Sequence, residues 1–413
     1  MARVYILEHG CAGSIVESQS MPMLLEEAGF TIVDEPSEVN IVNVCASKGD
    51  PVELLGSIVE KNSGKLIVTG CLSKDLIASI RKVSQDASLV NIENIHKIVS
   101  FVEESLQGNV LEAVVQEKFL KSLPVIRNNR ISVLIPIGSG CEDNCAYCST
   151  SKVSMRSYPT DYVVNEVSKA VTLGCKEVFL TSADNGSYSE GLPALLKAIM
   201  DSVQGSYRIK MGLISPRHAI SLIDDLMAVL HDPRIFRFLH IPADSGSNEV
   251  LGKMKRPYTV HDYRQLVDKL RRAFPDVSIV TNMVVGFPTE TELQFQDSLN
   301  LMQEIRFDAV NISRHLSKGK VEGLIGANVK KERLREMSDF ADRLSLEVNR
   351  KWIGWEGPVT IIGKGNTLVG RNYAFKPIVI PSNGHQVGDE INVKVLYAMP
   401  YDLRGKPIEK VED

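Results

Sequence analysis

The sequence predicts an α/β protein in three parts: a small parallel α/β sheet over residues 1–115, an incomplete barrel of βα units over 127–351, and a small antiparallel β-barrel over 352–413. Three observations predict it. At 413 residues the chain exceeds one ordinary domain. Short β-rich runs alternate with helical stretches in two blocks, separated by a polar, basic connector at 116–130. After Trp352 and Trp355 the composition turns to Gly, Val, Ile and Pro in strand-length runs broken by turn signals.

In the first block Val4–Leu7, Val39–Val44 and Leu66–Thr69 read as strands, with helices over Ser18–Glu27 and Pro51–Glu60. Cys11, Cys45 and Cys71 each fall at or just past the end of one of these strands. The carboxyl ends of parallel strands share one edge, so three distant cysteines can converge there. In the second block the strands are Ile131–Ile137, Glu177–Thr181, Arg208–Leu213, Phe236–Ile241, Val277–Asn282 and Ala309–Ser313. A long helix follows over Lys330–Lys351, its core stripe made of Leu334, Met337, Ala341, Leu344 and Val348. The terminal strands are Val359–Ile362, Thr367–Val369, Ile378–Ile380 and Ile391–Val395, with turns at Gly365-Asn366 and Asn383-Gly384.

Composition limits function. Forty-four percent apolar and 24% charged residues describe a globular chain, and the net charge of -4 provides no overall attraction to phosphate. No apolar run approaches the roughly 20 residues that a bilayer requires. The start of the chain lacks the apolar core of a signal peptide, so a cytoplasmic protein is expected. In a reducing compartment seven cysteines point to metals or catalysis rather than disulfides.

The strongest local signal is Cys141-Glu-Asp-Asn-Cys145-Ala-Tyr-Cys148, in the loop after the first barrel strand. Three thiolates on one tight loop suit three corners of a [4Fe-4S] cubane and leave the fourth iron open. Structural zinc is the competing reading, but it takes four closed ligands, and no His or further Cys lies near the loop. For Cys11, Cys45 and Cys71, a second cluster site and scattered core thiols both remain open at this point. Cys175 has no partner in the sequence and reads as a packing residue; His9 reads as a surface or outer-sphere neighbour of Cys11 rather than a ligand.

These cysteines come with companions: Leu239-His240-Ile241-Pro242-Ala243-Asp244-Ser245-Gly246-Ser247, Met254-Lys-Arg256-Pro-Tyr258-Thr259, and Val285-Gly286-Phe287-Pro288-Thr289-Glu290-Thr291-Glu292. Together with both cysteine triads they resemble the radical S-adenosylmethionine methylthiotransferase family over nearly the whole chain. The terminal β-domain, with Gly370-Arg371-Asn372-Tyr373 and Lys376-Pro377, resembles its TRAM module. The resemblance implies a methylthiotransferase N-terminal domain, a radical SAM partial barrel of (βα)6 type and an RNA-binding TRAM domain.

It also implies two [4Fe-4S] clusters, one on Cys141, Cys145 and Cys148 and an auxiliary one on Cys11, Cys45 and Cys71. In such enzymes the first chelates S-adenosylmethionine, which an electron cleaves to a 5'-deoxyadenosyl radical, while the auxiliary cluster carries the sulfur. Tyr147, Ser182, Asp184 and Ser245 are the candidate contacts to S-adenosylmethionine, with Tyr147 as an aromatic plane against its adenine. No general acid, base or nucleophile is assigned as catalytic. An electron donor protein and a sulfur source are expected partners. Several positions depart from the family pattern: Ser14 for Asn, Asp244 for Gln, Asn282 for Asp, and Ser313-Arg314-His315-Leu316-Ser317 where Arg-Pro-Gly-Thr is usual.

Family members modify adenosine 37 of tRNA or an aspartate of a ribosomal protein. The run Met155-Arg156-Ser157-Tyr158 resembles the group acting on N6-threonylcarbamoyladenosine-37 in the anticodon loop, and differs from the isopentenyladenosine group. Residues 350–413 carry nine Lys or Arg against seven acids, +2 against -4 for the whole. By charge alone Arg371, Tyr373, Phe375 and Lys376 read as a solvated barrel rim; with the family resemblance they are the expected RNA face. Arg156, Ser157 and Arg314 are the expected donors near the barrel mouth. The alternatives are methylthiolation of isopentenyladenosine-37 or of a protein aspartate, and, more distantly, a non-catalytic Fe-S RNA-binding protein.

Overall fold

The computed structural model describes residues 2–9, 21–44, 51–61, 64–70, 72, 74–114, 131–148, 155–315, 323–382 and 384–408. They fall in two compact units, Met1–Asn128 with Val133–Pro136, and Asn129–Ser132 with Ile137–Asp413.

In the first unit six strands, all parallel, run in the order Thr31–Val33, Arg3–His9, Val39–Val44, Lys65–Gly70, Ser88–Asn91, Glu112–Ala113. The predicted strands are all present, and three shorter ones join them. Every residue of Val39–Val44 is buried. Ile41 packs with Met21, Leu25 and Phe101 from helices on one face, and Val42 and Val44 pack with Leu55, Leu76 and Ile80 from helices on the other. Burial on both faces is why this strand reads as a continuous apolar run rather than an alternation.

The second unit holds the partial barrel. Glu177–Thr181 pairs with Arg208–Lys210, and Phe238–His240 pairs with Ser278–Val285, which pairs with Ala309–Arg314, all parallel. Among the described residues the two groups are joined in the ladder by the isolated bridges Ile209↔Ile235 and Leu213↔His240. The expected strand over Arg208–Leu213 accordingly stops at Lys210. The strand Ser132–Pro136 leads into the loop of Cys141. The long helix spans Ala327–Arg350 and buries Met337, Ala341, Leu344 and Val348 as predicted; Leu334 stays half-buried because Arg333 turns inward beside it, toward Glu290.

The terminal barrel closes with five strands, ordered Glu356–Lys364, Thr367–Arg371, Pro377–Pro381, Leu403–Pro407, Glu390–Ala398. Its core is Val359, Ile361, Leu368, Ile378, Ile380, Val393 and Val395 under Trp352. The antiparallel expectation holds for four ladders, but Pro377–Pro381 and Leu403–Pro407 run parallel. The strand Glu390–Ala398 intervenes in sequence, so the chain returns to this seam in the original direction. Predicted as a domain of its own, this barrel belongs to the same compact unit as the partial barrel. Among the described residues no helix is long and apolar enough to cross a membrane.

Candidate functional site

At the sheet edge of the first unit, His9 aligns with Val44 and Val44 with Gly70 on neighbouring strands. Each strand therefore ends at the same level, one or two residues before Cys11, Cys45 and Cys71. The cysteines themselves, with Ser14, lie outside the described residues. Strand order reverses between Arg3–His9 and Val39–Val44, which places this edge at a topological switch point, where open parallel sheets bind ligands. Gly70 is required there: its φ is +126°, and a Cβ would stand 1.9 Å from the Val44 carbonyl oxygen. Asn43, fully buried, donates from Nδ2 to Glu8 Oε2 at 2.7 Å and ties two of these strand ends together.

The Cys141 loop is held from the barrel side. Arg256, 5% exposed, donates from Nη1 to Asp143 Oδ2 at 3.1 Å and to the Cys145 sulfur at 2.9 Å, and its Nε lies 2.8 Å from Asp244 Oδ2. Arg217 grips Asp143 from the other side, Nε to Oδ1 at 3.3 Å. The Ala146 amide donates to the Met254 carbonyl at 3.0 Å. Burial raises the Cys145 thiol and the Arg256 cation opposes it. Burial pushes the Cys141 thiol up to about 12, so a metal must displace its proton. Among the described residues no three His, Cys, Asp or Glu side chains gather around a single ion.

Tyr147 is placed less freely than expected. Its ring packs against Val250, Met254, Val284 and Phe287, and burial, then Asp244, raises its hydroxyl pKa. Asp184, 1% exposed, accepts from the amides of Gly186 and Ser215, both at 3.0 Å, and pairs with His218 Nδ1 at 2.8 Å. Burial would raise its carboxyl, but His218 and Ser215 outweigh burial and hold it below the usual range. Ser182 donates to Asn185 Oδ1 at 2.8 Å, and buried Ser245 accepts from the Ser247 amide at 3.2 Å. Ser245 and Asp244 lie on the loop after Phe238–His240, and Ser182 and Asp184 on the loop after Glu177–Thr181; both loops leave carboxyl ends of barrel strands, where (βα) barrels carry their chemistry.

Arg156 is exposed and Ser157 Oγ accepts from the Ser189 amide at 2.9 Å. Arg314 is exposed at the end of its strand. Leu316 and Ser317 lie outside the described residues.

Of the expected RNA face, Lys376 is drawn into the fold. Lys376, 5% exposed, donates to Asn349 Oδ1 at 2.7 Å and pairs with Asp308 at 2.8 Å. Arg371 pairs with buried Glu177 at 2.5 Å and stacks 4.3 Å over Phe375. Phe375, at φ +60°, inserts among Phe179, Phe236 and Phe238. Tyr373 packs on Trp352 and Trp355 with Arg237 over its ring. Lys376 is buried while Arg371, Tyr373 and Phe375 are half-buried, and all four contact side chains of the partial barrel. A Lys followed by Pro in a turn looks exposed in sequence; its buried acid, Asp308, lies far earlier in the chain, beside the partial barrel's last strand.

Sequence reasoning also passed over Arg256, Arg217 and His218 as site residues. Arg256 stood inside a quoted motif, and an arginine flanked by Met254 and Pro-Tyr was the available signal for a buried ion pair. The Arg217-His218 pair carried no comparable signal. Cys175 is buried, as expected of a packing residue.

The Radical SAM superfamily matches residues 135–302, and the uncharacterized protein family UPF0004 matches 3–91. A protein of Pyrococcus horikoshii named "Probable threonylcarbamoyladenosine tRNA methylthiotransferase" is 35% identical over 95% of this chain and 97% of its own. The threonylcarbamoyladenosine tRNA methylthiotransferase of Drosophila melanogaster is 27% identical over 100% of this chain and 78% of its own. In structure, the radical S-adenosylmethionine methyltransferase TsrM of Kitasatospora setae, with cobalamin and a [4Fe-4S] cluster bound, superposes with TM-score 0.51 at 14% identity, covering 86% of this chain and 76% of that one. At that identity the match speaks for the fold alone.

Proposed function

Because the chain belongs to the threonylcarbamoyladenosine tRNA methylthiotransferase family, we propose that it is a radical S-adenosylmethionine enzyme inserting a methylthio group at C2 of N6-threonylcarbamoyladenosine-37 in tRNA. The observation that carries the reading is the three-thiol loop pinned by Arg256 and Arg217 beside the carboxyl ends of barrel strands. Cys141, Cys145 and Cys148 hold one [4Fe-4S] cluster and Cys11, Cys45 and Cys71 hold a second; the aligned ends of three adjacent strands support the latter. When bound, the clusters and S-adenosylmethionine supply the radical and the sulfur, which an inert aromatic C–H requires.

The chain's own residues position and shield. Arg256 keeps the Cys145 sulfur, Asp143 and Asp244 in one arrangement. Asp184 and His218 fix the loop of Ser182 through the backbone. Tyr147, Ser182, Asp184 and Ser245 lie on loops where S-adenosylmethionine would bind, and Arg156, Ser157 and Arg314 are the nominated substrate donors. An electron donor and a sulfur source complete the reaction.

The tRNA face of the terminal barrel is better sought on its outer strands. Tyr397, 66% exposed, stands opposite Arg404, and Lys394 opposite Lys406. This couples phosphate charge to a stacking plane. The test of the function offers anaerobically reconstituted enzyme two anticodon stem-loops that differ only in the N6-threonylcarbamoyl group. Methylthio product is expected from the modified loop. Equal turnover of both, or a preference for an isopentenylated loop, assigns another substrate.

A further inference from the structure

Side chains of the barrel strands alternate between the surrounding helices and an interior. Val178, Leu180, Ile209, Leu239 and Ile279 face the helices and are almost wholly buried. Phe179, Lys210, Phe238, His240, Asn282 and Asn311 occupy the opposite, inward set; Asn282 is half-buried and Asn311 exposed. At the amino end of the strands, Phe375 of the terminal barrel closes the floor.

Lys210 Nζ stands above that floor, 4.8 Å from the Phe238 ring centre, 5.2 Å from Phe375 and 5.6 Å from Phe179. Its charged neighbours are Arg371 and Glu177, and Glu177 is already engaged by Arg371 at 2.5 Å and by Ser132 at 2.8 Å. Among the described residues no hydrogen-bond acceptor meets the ammonium. Burial, then Arg371, pushes Lys210 down to about 8, so at neutral pH it is still a cation, and a costly one without an anion.

One layer nearer the mouth, Asn282 and Asn311 are register partners on adjacent strands. Asn282 Oδ1 accepts from His240 Nε2 at 2.8 Å and from Asn311 Nδ2 at 3.0 Å. Burial lowers the His240 pKa, which favours the neutral ring with a single donated N–H. With its oxygen doubly occupied, Asn282 presents its amide N–H groups to the interior, and Asn311 presents its oxygen. The interior thus offers an ammonium, a neutral donor and an acceptor.

We propose that Lys210 with the Asn282–Asn311 pair reads the ureido and carboxylate atoms of the N6-threonylcarbamoyl group. This rests on the functional reading above and extends it to the residues that set substrate choice. The ammonium takes the carboxylate, Asn282 donates to the ureido oxygen, and Asn311 accepts from a ureido N–H. An adenosine without the group, or one carrying an isopentenyl chain, leaves all three unpartnered, and such a mismatch is rejected strongly.

The test compares wild type with Lys210→Met and Lys210→Arg, each reconstituted, by binding titrations of the threonylcarbamoylated and unmodified stem-loops, alongside kcat and KM. Lys210→Met removes a buried cation without a counter-ion, so its melting temperature is expected to match or exceed wild type. The wild-type preference for the threonylcarbamoylated loop is expected to fall about 10- to 100-fold in Lys210→Met, the loss of one charged hydrogen bond, and to be partly restored by Lys210→Arg. A preference unchanged in Lys210→Met, or wild type binding both loops equally, overturns the proposal. So does a parallel loss of S-adenosylmethionine binding, which would assign the lysine to the cosubstrate. Preference in binding with no methylthio product from either loop would uphold the array and fail the proposed reaction instead.

Discussion

Replacing Arg256 by Met removes one guanidinium on which two buried carboxylates and one cysteine sulfur depend. Asp143 and Asp244 are 5% and 3% exposed, and both lie within 3.1 Å of Arg256. Asp143 retains Arg217 at 3.3 Å, while no other cation pairs with Asp244 among the described residues. Breaking a buried pair from one side costs about 3–5 kcal/mol, which for a unit of this size lowers the melting temperature by roughly 6–20 °C. The pH dependence has a definite sign. Burial already raises the Asp244 carboxyl above 3.8 and Arg256 opposes it, so without Arg256 it rises further. A carboxyl whose folded pKa exceeds its unfolded one stabilises below the unfolded value and loses that contribution as pH rises. The variant's deficit is therefore expected to be large at pH 7 and to shrink toward pH 5. Differential scanning calorimetry of the apoprotein at both values measures it, and iron analysis after reconstitution reads the cluster loop. An Arg256→Met protein as stable as wild type at pH 7, with full iron, would refute the reasoning.

Gly70→Ala forces a Cβ to 1.9 Å from the Val44 oxygen at a left-handed φ; reconstituted variant is expected to hold about half the iron of wild type while still producing 5'-deoxyadenosine, and full iron would sink the auxiliary site at this edge. Lys376→Met removes the ammonium paired with Asp308, which is 6% exposed and keeps only the more distant charges of Lys351 and Arg271, and is expected to cost about 3 kcal/mol in thermal unfolding; a variant of wild-type stability that lost only tRNA affinity would restore Lys376 to an RNA face. Tyr397→Ala with Arg404→Ala should weaken tRNA binding and flatten its salt dependence, and unchanged affinity would exclude the outer strands. Replacing Cys141, Cys145 and Cys148 together by Ala should abolish 5'-deoxyadenosine formation and leave about half the iron; retained cleavage would contradict the assignment of that loop.

How much of this the sequence disclosed follows from where each signal resides. Val39–Val44 was legible to the residue because two-sided burial writes a continuous apolar run. Arg208–Lys210 came out shorter than expected because the barrel wall is held there by isolated bridges, a property of neighbouring strands. Leu403–Pro407 was missed, since Leu-Arg-Gly-Lys-Pro has no apolar alternation and becomes a strand by filling the seam of a closed barrel. The cysteine loop was visible because Cys141, Cys145 and Cys148 are neighbours in the chain. Its anchors were not: Arg256 meets Asp143 and Asp244, and Lys376 meets Asp308, only after folding, and a charged side chain in isolation reads as solvated.

The chain places a methylthio group on threonylcarbamoyladenosine-37 of tRNA. Nucleoside mass spectrometry of total tRNA from cells with and without the gene tests it most directly. Loss of 2-methylthio-N6-threonylcarbamoyladenosine with accumulation of N6-threonylcarbamoyladenosine, restored by wild type but not by Cys148→Ala, is the predicted result. An unchanged level of that nucleoside, or loss of a methylthiolated isopentenyladenosine in its place, would contradict the account.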